Sequence, residues 1–134
     1  MMEAKIPGFN PLQKAIYEIL SANITDVPVA DYVEENTPFP YISIGEDIFT
    51  DDSTKTDFAD ISQTAVRVWS RAKGFSEVKS ILAEIIRVLS TVDIIAEGYI
   101  IQYYGITQME TSRESDGITR SGMVRIKFRV NQGD

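Results

Sequence analysis

The sequence predicts an α+β fold: a single domain, residues 1–134, in which a mainly antiparallel sheet of about five strands carries two main helices in the order α-β-β-β-α-β-β. Three observations predict it. Residues 61–70 alternate with the period of a strand, Val66 and Val68 on one face and Ala65, Arg67 and Trp69 on the other. Immediately afterwards Val78, Ile81, Leu82, Ile85, Ile86 and Leu89 recur as one stripe of a helix. A strand with an apolar face running into a helix with an apolar stripe is most simply a sheet covered by that helix. Finally, Val124, Ile126, Phe128 and Val130 alternate with Arg125, Lys127 and Arg129, the cleanest strand pattern in the chain.

In chain order, Asn10-Pro11-Leu12-Gln13 reads as a helix start, with Asn10 as N-cap, Pro11 at the first helical position and Gln13 completing a capping box. The helix runs to about Ser21 and buries Leu12, Ala15, Ile16, Ile19 and Leu20. Val27 to Val33 is short, apolar and β-branched, and Pro28 restricts it to an edge strand. Glu34 to Pro40 is a loop stiffened by Pro38 and Pro40. The strand beginning at Tyr41 places Ile42, Ile44 and Ile48 on one face together with Glu46, so Gly45 marks a bulge. Asp51 to Asp60 is polar and acidic, and is expected to be a flexible loop between two antiparallel strands. After a turn through residues 71–74, Ser76 is placed as the N-cap of the second helix, with Glu77 in its first turn. Tyr99 opens a long strand with Tyr99, Ile101 and Tyr103 on one face and Ile100, Tyr104 and Ile106 on the other, so both faces need cover. Asp116-Gly117 turns the chain into the last strand.

Composition excludes more than it assigns. The chain has no cysteine and no histidine, which removes disulfides, thiol catalysis, imidazole general bases and the commonest transition-metal ligands. No stretch has the cationic-then-apolar pattern of a secretion signal or the length of a membrane span, so no membrane association is expected. The net charge of −7 is unevenly spread: residues 1–60 hold twelve acids against three lysines, while residues 113–134 hold five bases against three acids. An acidic total argues against gripping nucleic-acid phosphates. It suits subunits that meet acidic face to basic edge.

The candidate site residues are therefore those of an interface. Arg125, Lys127 and Arg129 form a cationic row that is either a solvated strand face or a docking stripe, and Asp51, Asp52, Asp57 and Asp60 are its natural complement on a neighbouring copy. The acidic segment lacks the central Gly and terminal Glu of a twelve-residue calcium loop, so no metal is expected there. Glu46-Asp47 and Asp51-Asp52 are neighbours in extended chain and point opposite ways, unlike a catalytic carboxylate pair. There is no glycine-rich phosphate loop, hence no expected nucleotide cofactor, and Trp69 reads as a core or rim residue. No enzyme is expected. Two other classes stay open: a small-molecule-binding regulatory module and a carboxylate-dependent hydrolase.

Several segments, in this order and spacing, resemble one family. They are Pro11-Leu12-Gln13-Lys14-Ala15-Ile16-Tyr17, Phe39-Pro40-Tyr41-Ile42-Ser43-Ile44-Gly45, Val66-Arg67-Val68-Trp69-Ser70 with Gly74 and the helix Glu77 to Leu89, and Asp116-Gly117-Ile118-Thr119-Arg120-Ser121-Gly122. The chain is similar to the tail-completion proteins of long-tailed bacteriophages, also called tail terminators or tail-to-head joining proteins, and among them to those of Bacillus siphophages. The resemblance implies a hexameric ring that sits on the last ring of the major tail tube protein and ends tube growth. It also implies a surface offered to the head connector or stopper protein, a channel through which DNA passes without specific binding, assembly in the host cytoplasm, and a place at the head-tail interface of the virion.

Overall fold

A computed structural model describes residues 4–30 and 33–133, with two helices and six strands. They are α1 (Phe9–Asn23), β1 (Val29–Ala30), β2 (Tyr41–Asp51), β3 (Ala59–Ser70), α2 (Ser76–Thr91), β4 (Ile95–Ala96), β5 (Tyr99–Arg113) and β6 (Arg120–Gln132). One sheet has the order β1-β2-β3-β6-β5-β4. Every pairing is antiparallel except β1 with β2, which is parallel. The α+β class and the helix positions match the sequence reading; the sheet is mixed and gains β4, a two-residue strand that pairs Ile95 with Ile100. The expected strand from Val27 to Val33 shortens to Val29–Ala30 and does lie at the edge, while Asp31 and Tyr32 lie outside the described residues.

Residues opposite one another in neighbouring strands share a face, which divides the sheet cleanly. Ile42 and Ile44 of β2, Val66 and Val68 of β3, and Val124, Ile126, Phe128 and Val130 of β6 form the helix-covered face and are buried. The helix α2 buries Val78, Leu82, Ile85, Val88 and Leu89 against it, and α1 adds Leu12, Ala15, Ile16 and Leu20. Helix α1 touches β1 and β2 at one border of the sheet and β4 at the other, so the sheet curls around the helices. Within the core the hydroxyls of Ser62 and Thr64 satisfy each other at 2.7 Å. Gly122 of β6 lets α2 sit close, since a Cβ there would stand 2.6 Å from Val78 Cγ1.

Several local expectations are corrected. Helix α1 starts at Phe9 with Gly8 in the cap position, so Asn10 does not cap it. The Phe9 ring packs on Phe49 with centroids 4.5 Å apart, a contact made by a helix that starts two residues earlier than expected. Pro11 still falls in the first turn, where its missing N–H has no helical acceptor to lose. Similarly, Phe75 caps α2 and Ser76 is the first helical residue; the Glu77 carboxylate accepts a hydrogen bond from the Ser70 hydroxyl at 2.6 Å. The bulge in β2 is real, but its extra residue is Glu46, with φ of 60° between Gly45 and Asp47. One inserted residue reverses the faces beyond it. Phe49 therefore turns to the core and Ile48 to solvent, opposite to the sequence expectation. Two more bulges, at residues 103–105 and 106–108 of β5, bring Ile106 onto the helix-covered face opposite Ile126, separating it from Ile100.

Candidate interaction surfaces

The face of the sheet away from the helices carries Tyr41, Ser43, Ile48 and Thr50 from β2, Ile61, Gln63, Ala65, Arg67 and Trp69 from β3, and Met123, Arg125, Lys127 and Arg129 from β6. All three members of the predicted cationic row lie on it. Their environments differ. Arg129 donates from Nε to Asp52 Oδ2 at 2.8 Å and pairs through Nη2 with Asp57 Oδ2 at 3.3 Å, and these acids hold its guanidinium above its ordinary pKa, the Asp52 hydrogen bond foremost. Arg125 and Lys127 have no ion pair among the described residues, and Arg125 Nη1 is buried without a hydrogen-bond partner. Arg67 lies 3.6 Å from the exposed carboxylate of Glu46 at the bulge.

The acidic segment spans the β2–β3 hairpin, with Asp51 and Asp60 opposite each other at its base. Lys5 stands between them, donating to Asp60 Oδ1 at 2.6 Å and to Asp51 Oδ1. Burial lowers the Lys5 pKa, but its hydrogen bonds to Asp51 and Asp60 outweigh this and leave it raised. The Lys5 hydrogen bond in turn lowers Asp51, with a second contribution from Ser53, whose hydroxyl donates at 2.7 Å. Asp57 is lowered first by the Asn131 amide and then by Arg129. The connection that reads as free and acidic in the sequence is thus tied to β6 by Arg129 and Asn131, and to the N-terminal segment by Lys5. All four aspartates and Arg129 meet within one chain; Arg125 and Lys127 stand apart from them.

At the other end of the open face is an aromatic group that the sequence reading did not assemble. Tyr41 stacks on Trp69 with centroids 6.4 Å apart, Phe39 tilts onto Tyr41 at 5.2 Å, and Arg71 lies over the Phe39 ring at 4.4 Å. Trp69 Nε1 donates to the Ser43 hydroxyl at 2.9 Å, which fits a rim residue. Only the strand register brings Tyr41 opposite Trp69, and register was the missing signal. Arg71 continues to Thr119 at 3.2 Å, and Thr119 to Asp116, whose carboxylate accepts from the Thr119 hydroxyl and from the N–H groups of Thr119 and Ile118. These hydrogen bonds, the Thr119 hydroxyl first, lower Asp116 to about 2.

For chemistry the described residues offer little. No group of three or more acids converges as a metal site among them. Glu46 is the bulged residue and Asp47 follows it, both solvent-exposed, and Asp51 faces Asp60 with Lys5 between, so neither pair spans a substrate cleft. A shallow groove of about 350 Å³ lies between α1 and β4, bordered by Pro11, Lys14, Ala15, Glu18, Ile95 and Ala96. No described helix is long and apolar enough to cross a membrane.

The fold has known counterparts. Tail completion protein gp17 of Bacillus phage SPP1 is 24% identical over 124 residues, which cover 90% of this chain and 92% of that protein. The solved structure of the same phage protein superposes with a TM-score of 0.59 at 21% identity, over 87% of this chain and 86% of that one. A chain in the virion of a native gene transfer agent particle superposes with a TM-score of 0.78 at 22% identity, over 90% of this chain and 95% of that one. Those two likenesses establish the fold. The family described as tail completion protein gp17 matches residues 14–131, from the first turns of α1 to the end of β6. With the match running from within α1 to residue 131 of β6, the chain belongs to the bacteriophage tail completion protein gp17 family.

Proposed function

We propose that this chain completes the phage tail: copies form a ring, hexameric by the resemblance, on the last ring of the tail tube, stop its growth and offer a surface to the head connector. The reading makes the protein a structural part of the virion, acting by assembly and not by catalysis. The observation that carries it is the family match over residues 14–131. The open sheet face supports it, because a strand face with two cations that lack acidic partners among the described residues gains from a complementary second surface. DNA would traverse the ring without specific binding, consistent with the net charge of −7. The Asp51 to Asp60 hairpin would face the lumen or the neighbouring ring, and Arg125 and Lys127 a protein.

The test is complementation of tails that lack the protein. Electron microscopy should then show overlong or unattached tails, restored to normal by the unaltered chain. The pair Arg125→Glu and Lys127→Glu, neither tied to an acid, should fold normally and join fewer tails to heads. Normal joining by that variant would remove these two residues from the interface. Tails of normal length and attachment without any copy of the protein would overturn the function itself.

A further inference from the structure

Resting on the ring proposed above, we infer that its subunits join edge to edge through the main chain: Asp47–Asp51 of one copy pairs antiparallel with Met109–Arg113 of the next. Two open edges provide the surfaces. Beyond Tyr99 and Ile100, which pair with β4, the outer edge of β5 has no partner strand among the described residues. Beyond Ser43, where β1 ends, the same is true of β2. Edges of this length are usually covered or blunted, and another chain is what they accept most readily.

Polarity and register narrow the arrangement. The pairings β2–β3, β3–β6 and β6–β5 are all antiparallel, so β2 and β5 run in opposite directions. A copy related by rotation therefore brings its β2 alongside β5 in antiparallel sense, with the helices of both copies on one side. Bulges interrupt β2 at Glu46 and β5 between residues 103 and 108, leaving Asp47–Asp51 and Gln108–Arg113 as regular stretches. Helix-side residues must meet helix-side residues; these are Asp47, Phe49 and Asp51 on β2 and Met109, Thr111 and Arg113 on β5. Full overlap then has one solution: Arg113 opposite Asp47, Ser112 opposite Ile48, Thr111 opposite Phe49, Glu110 opposite Thr50 and Met109 opposite Asp51. Charge agrees, for the acidic β2 border carrying Glu46 and Asp47 meets the side of the sheet that bears Arg113, Arg125 and Lys127. The exposed side chains of Ile48 and Met109 become covered in the joint.

The absence of cysteine makes the test clean. The double variant Ile48→Cys with Ser112→Cys, both at exposed positions, is supplied to tail assembly and oxidised on the assembled tails. Paired open-face positions place Cβ atoms within disulfide reach. Expected on a non-reducing gel is a ladder of covalent oligomers, matched by Thr50→Cys with Glu110→Cys, while each single variant runs as a monomer. Dimers from Ser112→Cys alone would mean two-fold pairing of β5 with itself and would overturn the inference. Tails that are complete and joined yet show no cross-link with either double variant would overturn the pairing and leave the tail-completion reading standing. Tails that carry none of the protein would remove both.

Discussion

Replacing Gly122 by alanine tests how α2 is seated on the sheet. The added Cβ would stand 2.6 Å from Val78 Cγ1 and 3.5 Å from Leu82 Cδ2. Two carbons settle at roughly 3.5–4.0 Å, so the first contact overlaps and the second does not. Val78 is fully buried, and a β-branched side chain on a helix holds essentially one rotamer, so α2 itself must move. Forcing a methyl into a filled core costs about 1–3 kcal/mol, whereas exchanging glycine for alanine returns about 0.4–1 kcal/mol through the unfolded chain. The expected net loss is about 0–2.6 kcal/mol, up to roughly 10 °C in Tm at this chain length, read by urea and thermal denaturation. Val78→Ala alone should also destabilise. Together the two changes should cost less than their sum by about 1 kcal/mol, since each relieves the defect of the other. A Gly122→Ala protein clearly more stable than the parent, or two effects that simply add, would refute close seating of Val78 on Gly122.

Two further outcomes follow from the backbone and the turn. Glu46→Gly should leave stability unchanged or raise it by about 1 kcal/mol, because φ of 60° strains a side-chain-bearing residue and the Arg67 pair it loses is exposed; a clear loss in urea denaturation would show that the side chain holds the bulge. Asp116 has a folded pKa of about 2, below its unfolded value, so its contribution is present above about pH 4 and lost as the pH falls through 2. Asp116→Asn should therefore flatten the acid limb of a stability-against-pH curve, and an unaltered slope between pH 4 and 2 would count against the turn network.

Patterned segments were legible because they lie in the middle of the sheet. The alternation of Val124, Ile126, Phe128 and Val130 and the stripe of α2 report burial directly, and both elements form where the periods place them. The border strands were harder. One inserted residue in β2 and two in β5 each reverse the faces that follow, and the sequence marks the bulge at Gly45 but not on which side of it the register resumes. The N-caps at Asn10 and Ser76 were displaced by tertiary contacts, Phe9 on Phe49 and Ser70 on Glu77, which no local pattern records. For the surface, charge identity was readable and charge partners were not: Arg129 finds Asp52 and Asp57 only because β6 lies beside the hairpin.

That internal pairing bears on what holds the ring together. A carboxylate already engaged by Lys5 or Arg129 gains little by exchanging that partner for one on another copy, since the exchange breaks one ion pair for each that it makes. The groups with most to gain are those left unsatisfied within the subunit. Among these are the unpaired main-chain edges of β2 and β5, which are uncharged. Association carried mainly by such groups should respond weakly to salt. Raising the ionic strength from 0.1 to 1 M shrinks the screening length from about 10 to 3 Å, which would dissolve a contact built on exposed charge. Subunit association followed by native mass spectrometry or light scattering should then change by no more than a few-fold across that range. A fall of several orders of magnitude would return the interface to the charged stripe and take it away from the strand edges.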